Sequence, residues 1–339
     1  LRPQPPQKPQ DAYLRFVGDL SPEASFLLNR DAQNGDRSVS RHDLVGVWLG
    51  QKHDEQDPDA SQIAEVSDAS AAPGLILSSM QGLRPALRQE CLSTLPPTYE
   101  FERLAELYFS KIDPIFPILH GDALENQNPL ETVALKQCIC LVASLDPSMR
   151  KYLRLPGTDR IFSQISFRAR IAAVVKQSLD LGFMRDKMVL LQVCALMALY
   201  VDKPGCSEVS TYYVSQVVHL SQTLGLHLGW PGDTAKEEKA RRIFWCVWVL
   251  DRLNAATNGR PVLMHLRDFD RRIINSLDDQ VPPFQLLIRI TQYLDDTISM
   301  YRPHARSPDE PAESETQTFE DLVEDTKTLE IPGGLLGKA

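Results

Sequence analysis

The chain has no run of about 18 apolar residues, so no segment reads as a membrane-spanning helix. Its opening LRPQPPQKPQ is rich in Pro and Gln and lacks the apolar centre of a secretory signal. The expectation is a soluble protein outside the secretory route. Cysteines at CxxC spacing are absent: Cys91, Cys138, Cys140, Cys194, Cys206 and Cys246 are scattered, four of them inside apolar stretches. They read as small buried hydrophobes, and Cys138 and Cys140 diverge by about 200° on a helix, too far to share a metal easily. A zinc site within this chain is therefore not expected. GxxxxGK[ST], GxGxxG after a strand, HExxH and GxSxG are all missing, which removes the common phosphate, dinucleotide, zinc-peptidase and serine-hydrolase chemistries.

A basic stripe is missing too. The net charge is −9, and residues 309–330 alone carry −8, with nine carboxylates against Lys327. The body is nearly neutral and has no electrostatic footprint for a phosphate backbone. Strand-like alternation bounded by turn pairs is also scarce.

Helical periodicity is abundant. Phe101, Leu104, Leu107, Tyr108 and Ile112 recur at helical steps until Asp113-Pro114 ends the pattern. Further helices are expected at 129–145, 159–181, 185–202, 207–226, 236–257 and 283–301. Lys203-Pro204-Gly205 and Trp230-Pro231-Gly232 read as short connections. No self-similarity at a fixed period indicates a repeat array. The expected fold class is all-α: an irregular multi-helix domain over 97–302, preceded by a disordered tail (1–12), a partly ordered lead-in (13–50) and a linker or mobile loop (51–74). An acidic, mobile segment (303–339) follows. Its interspersed Phe319, Leu322, Val323, Leu329, Ile331, Leu335 and Leu336 fit either a disordered activation segment or a solvated connector.

The most informative stretch runs from Ala240 to Pro261, ARRIFWCVWVLDRLNAATNGRP. At 100° per residue it places Arg241, Trp245, Trp248 and Arg252 on one stripe, with apolar side chains over most of the rest, as in a helix buried all round. Thr234 and Glu237 read as a capping box, Glu238 and Arg242 as an i,i+4 pair, and Asn258, Gly259 and Pro261 as a left-handed stop followed by a breaker. Asp251 falls among apolar positions near the C-terminal end, where the helix dipole disfavours it. It needs a cationic partner, for which Arg260 is the nearest candidate past the helix end.

Other constellations are thinner. His219 and His227 are close in angle on a helix, with no carboxylate or Cys at ligand spacing. Asp295-Asp296 invites comparison with magnesium- and diphosphate-dependent terpene synthases, but the third carboxylate of that motif is absent.

Four blocks together resemble the regulatory core, or middle homology region, of fungal zinc-cluster transcription factors. They are RFVGDLSPEASFLL at 15–28, LAELYFSKIDPIFPILHGDAL at 104–124, SQTLGLHLGW at 221–230 and EEKARRIFWCVWVLDRLNAATNGRPVLMHLRDFD at 237–270. The last carries the family pattern in Arg241, Arg242, Trp245, Trp248, Asp251, Arg252, Gly259, Arg260 and Pro261. Coverage runs from about 13 to 300, and the cutinase-regulator type is the most similar. By the same resemblance, Phe319-Glu-Asp-Leu-Val looks like a lead-in to further family helices.

The family's N-terminal module, six cysteines holding two zinc ions beside basic residues, is absent from this chain, which opens with Leu1. The chain then reads as a fragment or processed form of a longer regulator, or as a shortened relative. The resemblance implies a nuclear, non-enzymatic regulatory domain controlling transcription by RNA polymerase II. It implies no cofactor in this chain, and zinc and DNA contact only through the missing module. Transcription machinery or regulatory proteins are the implied partners, with a small-molecule effector and a homodimer as further options and no membrane. The opposed readings are the magnesium/diphosphate enzyme and an interaction scaffold without ligand sensing.

Overall fold

Asn128 shows how the sequence starts a helix here: its side chain accepts the Leu130 amide at 3.1 Å and Pro129 occupies the first helical position. Asp186 and Ser163 cap two further helices in the same manner. In this computed structural model, residues 15–18, 39–42, 46–49, 74–119, 124, 128–158, 160–200, 207–228 and 234–300 are described. The expectations for 1–12, 51–73 and 303–339 lie outside them, as do the two proline-glycine connections.

In chain order the elements are β1 (Arg15–Gly18), β2 (Val39–His42), β3 (Gly46–Leu49), α1 (Gly74–Ser93), α2 (Thr98–Leu107), α3 (Pro129–Ala143), α4 (Gln164–Asp180), α5 (Lys187–Leu199), α6 (Ser207–Thr223), α7 (Thr234–Asn258), α8 (Arg271–Asn275) and α9 (Pro282–Met300). The body is the all-α structure that the periodicity predicts. The lead-in adds a small antiparallel sheet of order β1-β3-β2, with Phe16 and Ser40 both in register with Trp48. α1 was also not anticipated, because Gly74, Pro85 and several Ser and Gln residues dilute its pattern. Long-range bonds hold it in place: Gln137 donates to the Cys91 and Thr94 carbonyls at 2.9 and 2.7 Å.

α2 passes directly into one π-helical turn, Tyr108–Ile112, where the Asp113 amide reaches back to the Tyr108 carbonyl at 2.9 Å. The π turn ends at Asp113-Pro114, where the sequence signals a stop.

α3 and α5 are apolar nearly all round, which fits central elements. α3 packs against α1, α2, α4 and α5; α5 pairs with α6, α6 with α7, and α7 with α9. One continuous hydrophobic core joins α2 to α9 and includes Cys138, Cys140, Cys194 and Cys246 as buried free thiols. Burial pushes all four above the ordinary thiol range, Cys194 up to about 12, so they are unreactive packing groups.

Candidate functional site

α7 is buried along its middle because its sequence leaves no polar face there. From Ile243 to Leu250 every side chain is buried; Leu253, 40 % exposed, departs from the all-round burial expected, as do the half-buried Arg241 and the exposed Ala256 and Thr257. The Trp/Arg stripe lies where the helical angles place it. Trp245 and Trp248 meet edge to face at 5.5 Å, and the Arg252 guanidinium sits 4.9 Å from the Trp248 ring centre. Trp245 donates through Nε1 to Ser276 Oγ at 3.2 Å, while Trp248 Nε1 has no hydrogen-bond partner among the described residues. Toward the N-terminus, Arg241 pairs with Glu237 and Arg242 with Glu238, the latter at 2.9 Å as the i,i+4 spacing predicts. The Thr234 side chain, half of the expected capping box, lies outside the described residues.

The helix end follows the predicted left-handed stop. Gly259 has φ +60°, and the Arg260 amide donates to the Ala255 carbonyl at 3.0 Å, the long bond of a Schellman motif. The chain then doubles back alongside α7.

This reversal overturns the expected Asp251–Arg260 pairing. Arg260 is exposed, one residue past the stop, and the returning backbone occupies the space beside Asp251. Asp251 is 0 % exposed; its carboxylate accepts the Leu263 amide at 3.0 Å, the Met264 amide at 3.0 Å and Arg252 Nη1 at 2.6 Å. Arg252, 1 % exposed, also donates through Nε to Asp295 Oδ1 of α9 at 2.8 Å and through Nη2 to the Met264 carbonyl at 2.6 Å. One guanidinium thus ties α7, the returning segment and α9. Burial pushes the Asp251 carboxyl above its ordinary range, opposed by the Leu263 amide and then by Arg252.

Asp295 therefore has a structural task. It belongs to the core-facing seam Phe284, Ile288, Thr291 and Asp295, spaced 4, 3 and 4 residues apart, a signal that could have identified it as a partner of α7. Its neighbour Asp296 is exposed, and the described residues contain no group of three or more His, Cys, Asp or Glu positioned to hold a metal ion.

A second polar locus faces the N-terminal half of α7. Asp113, at the end of the π turn, is half-buried, with Oδ1 unbonded among the described residues, as is the buried Tyr108 hydroxyl. Burial raises the Asp113 carboxyl to about 6, against the pull of Arg242.

His219 and His227 do not share a helical face, because Gly225 at φ +69° breaks the chain direction between them. His219 is exposed on α6. His227 lines a cleft of about 350 Å³ together with Gln222, Met264, His265, Asp268 and Phe269. No sequence motif marks this cleft, since its walls come from α6, the turn at Leu226–Leu228 and the segment returning from α7.

Residues 105–283 match the fungal specific transcription factor domain. The chain is similar to cutinase transcription factor 1 beta of Fusarium vanettenii, 27% identical over 190 residues, covering 52% of this chain and 21% of that protein. It is similar to cutinase transcription factor 1 alpha of the same fungus, 25% identical over 221 residues, covering 62% and 23%. It also matches the transcriptional activator protein acu-15 of Neurospora crassa, 25% identical over 203 residues, covering 55% and 20%. The chain thus spans 20–23% of the length of these relatives. No solved structure matches it. With the matched region taking in both the aromatic stripe and the Asp251–Arg252 clasp, the chain belongs to the fungal specific transcription factor domain family.

Proposed function

We propose that this chain is the regulatory domain of a nuclear transcription factor and works by conformational restraint. The helical body at 97–302 holds neighbouring DNA-binding and activating segments in one state and releases them when an effector or protein partner binds the other state better. DNA contact and zinc belong to a module outside this chain, and a second copy of the chain is among the partners to test. The family match over 105–283 carries the reading.

The residues Arg241, Arg242, Trp245, Trp248, Asp251, Arg252, Gly259, Arg260 and Pro261 serve this role as the frame of the restraint. The clasp supports that assignment, because a buried guanidinium joining three segments gives the domain one contact set that can be made or broken as a unit. The reading assigns no catalytic step. Asp295, which a diphosphate-dependent enzyme would need for magnesium, is engaged by Arg252 and only 17% exposed in its side chain.

A reporter assay tests the proposal. The chain is placed between an unrelated DNA-binding module and an unrelated activation segment. The wild-type chain is expected to lower reporter output and Arg252→Ala to restore it at equal protein level. Output insensitive to the chain, or unchanged by Arg252→Ala, would refute restraint.

A further inference from the structure

The cleft beside the clasp is built in a way that specifies a ligand. Met264 and Phe269 supply its apolar surface; Gln222, His227, His265 and Asp268 supply the polar groups. An apolar cavity of roughly 150 Å³ holds a benzene molecule, so a cleft of about 350 Å³ has room for two fused rings. Among the described residues no Lys or Arg lines it, and Asp268 repels an anion. A cation gains little, because Asp268 is exposed and already lies 3.8 Å from Arg267. A full charge placed against Met264 and Phe269 would thus be desolvated without a dedicated counter-charge. The exposed Gln222 amide and His265 imidazole stand at the mouth beside the half-buried His227 imidazole, and a hydroxyl, which both donates and accepts, suits these groups.

The cleft also touches the clasp directly. The Met264 carbonyl accepts from Arg252, and its amide donates to Asp251. Phe269 packs edge to face on Phe244 of α7 at 4.7 Å, and the Asp270 amide donates to the His227 carbonyl at 3.0 Å, stitching the two walls together. An occupant therefore contacts Met264, one hydrogen bond from the buried pair, and Phe269, one ring contact from Phe244 on the same helix.

We propose that this cleft is the effector site of the domain and takes an uncharged, flat, two-ring aromatic molecule bearing one hydroxyl group. The assignment rests on the regulatory reading above and adds to it a place and a ligand class. Binding there shifts the clasp only to the extent that the ligand prefers one arrangement of Met264 over another.

Calorimetric titration of the 339-residue protein with 2-naphthol, 2-naphthoate and 2-naphthylmethylammonium near neutral pH tests it. The expected result is saturable one-site binding of 2-naphthol, with both charged analogues weaker by at least about tenfold, the penalty of an uncompensated charge. Gln222→Trp, at an exposed α6 position, should block the mouth and weaken 2-naphthol by about tenfold or more with an unchanged circular dichroism spectrum. His265→Ala, also at an exposed position, should weaken it less and provides a second test if the first variant folds poorly. Absence of saturable 2-naphthol binding, tighter binding of a charged analogue, or binding indifferent to both substitutions overturns the site. In the reporter, 2-naphthol that binds yet alters output equally in wild type and Gln222→Trp overturns the effector role. A reporter blind to Arg252→Ala refutes the regulatory reading separately, whatever the titrations show.

Discussion

The two halves of α7 carry the same charged groups, carboxylate and guanidinium, in different surroundings. Near the N-terminus, Glu237–Arg241 and Glu238–Arg242 are one-turn pairs with partly exposed side chains. Water screens such pairs and ordering their long side chains opposes them, so each contributes only a few tenths of a kcal/mol, roughly 0.3–0.5. Near the C-terminus, Asp251 and Arg252 are withdrawn from water and anchored to main-chain amides and a carbonyl, and Arg252 also holds the half-buried Asp295 of α9. There the dominant fact is the cost of leaving any one member without its partners. Charge pairing along one helix is thus decorative at one end and obligatory at the other, and burial makes the difference.

Removing the shared member should break the comparison most visibly. Arg252→Ala strands Asp251 and Asp295 together, and a loss of about 3–5 kcal/mol is expected in urea unfolding. Melting unchanged from wild type would mean that water reaches the clasp. Asp113 sharpens the contrast at the other half, through pH. Its folded-state carboxyl, near 6, holds its proton where the unfolded chain, near 3.8, has released it, so stability falls as pH rises from about 4 to about 6 and is then level. The size is on the order of 1–2 kcal/mol, reduced from the full shift because Asp113 is partly exposed. Asp113→Asn should remove that fall, so the variant's stability relative to wild type climbs across the same window; parallel curves would contradict it.

Gly259→Ala tests the reversal that brings Leu263 and Met264 to Asp251. Space is open around a new Cβ, so the cost is conformational, about 1–2 kcal/mol for a left-handed non-glycine residue. A variant as stable as wild type would show that the reversal forms without a left-handed residue. The smallest effect belongs to Arg241→Ala, about 0.3–0.5 kcal/mol and reduced further by salt. A loss approaching that of Arg252→Ala would erase the distinction between the two halves.

The helical body and the Trp/Arg stripe were legible because they depend on periodicity, which a single sequence displays directly. Leu104, Trp245, Trp248 and Arg252 could be placed by angle alone. Asp251's partners were harder to read, since two of them are main-chain amides, which every residue carries and no residue type announces. Arg260 looked suitable by proximity along the chain, but the stop at Gly259 turned it outward. Asp295 stands out in the sequence only through its neighbour Asp296, a pair that lacks the third carboxylate of a metal motif, although its seam with Phe284, Ile288 and Thr291 already points inward. α1 and the three-stranded sheet escaped notice because short or diluted patterns carry little periodic signal. The cleft could not be read at all, because segments far apart in sequence close around it.

The reversal after Gly259 has a further consequence, in the time domain. Leu263 exposes 45 % of its surface and neighbours Gly259, Arg260 and Pro261, all exposed, so its surroundings resemble a fast-moving loop. Its amide hydrogen nevertheless points at a buried carboxylate, as does that of Met264. Exchange of these two hydrogens with solvent requires the clasp to open, so they should exchange with the slow, cooperative rhythm of the core. A stretch of surface chain thereby acts as a clock for the opening of the molecule's interior.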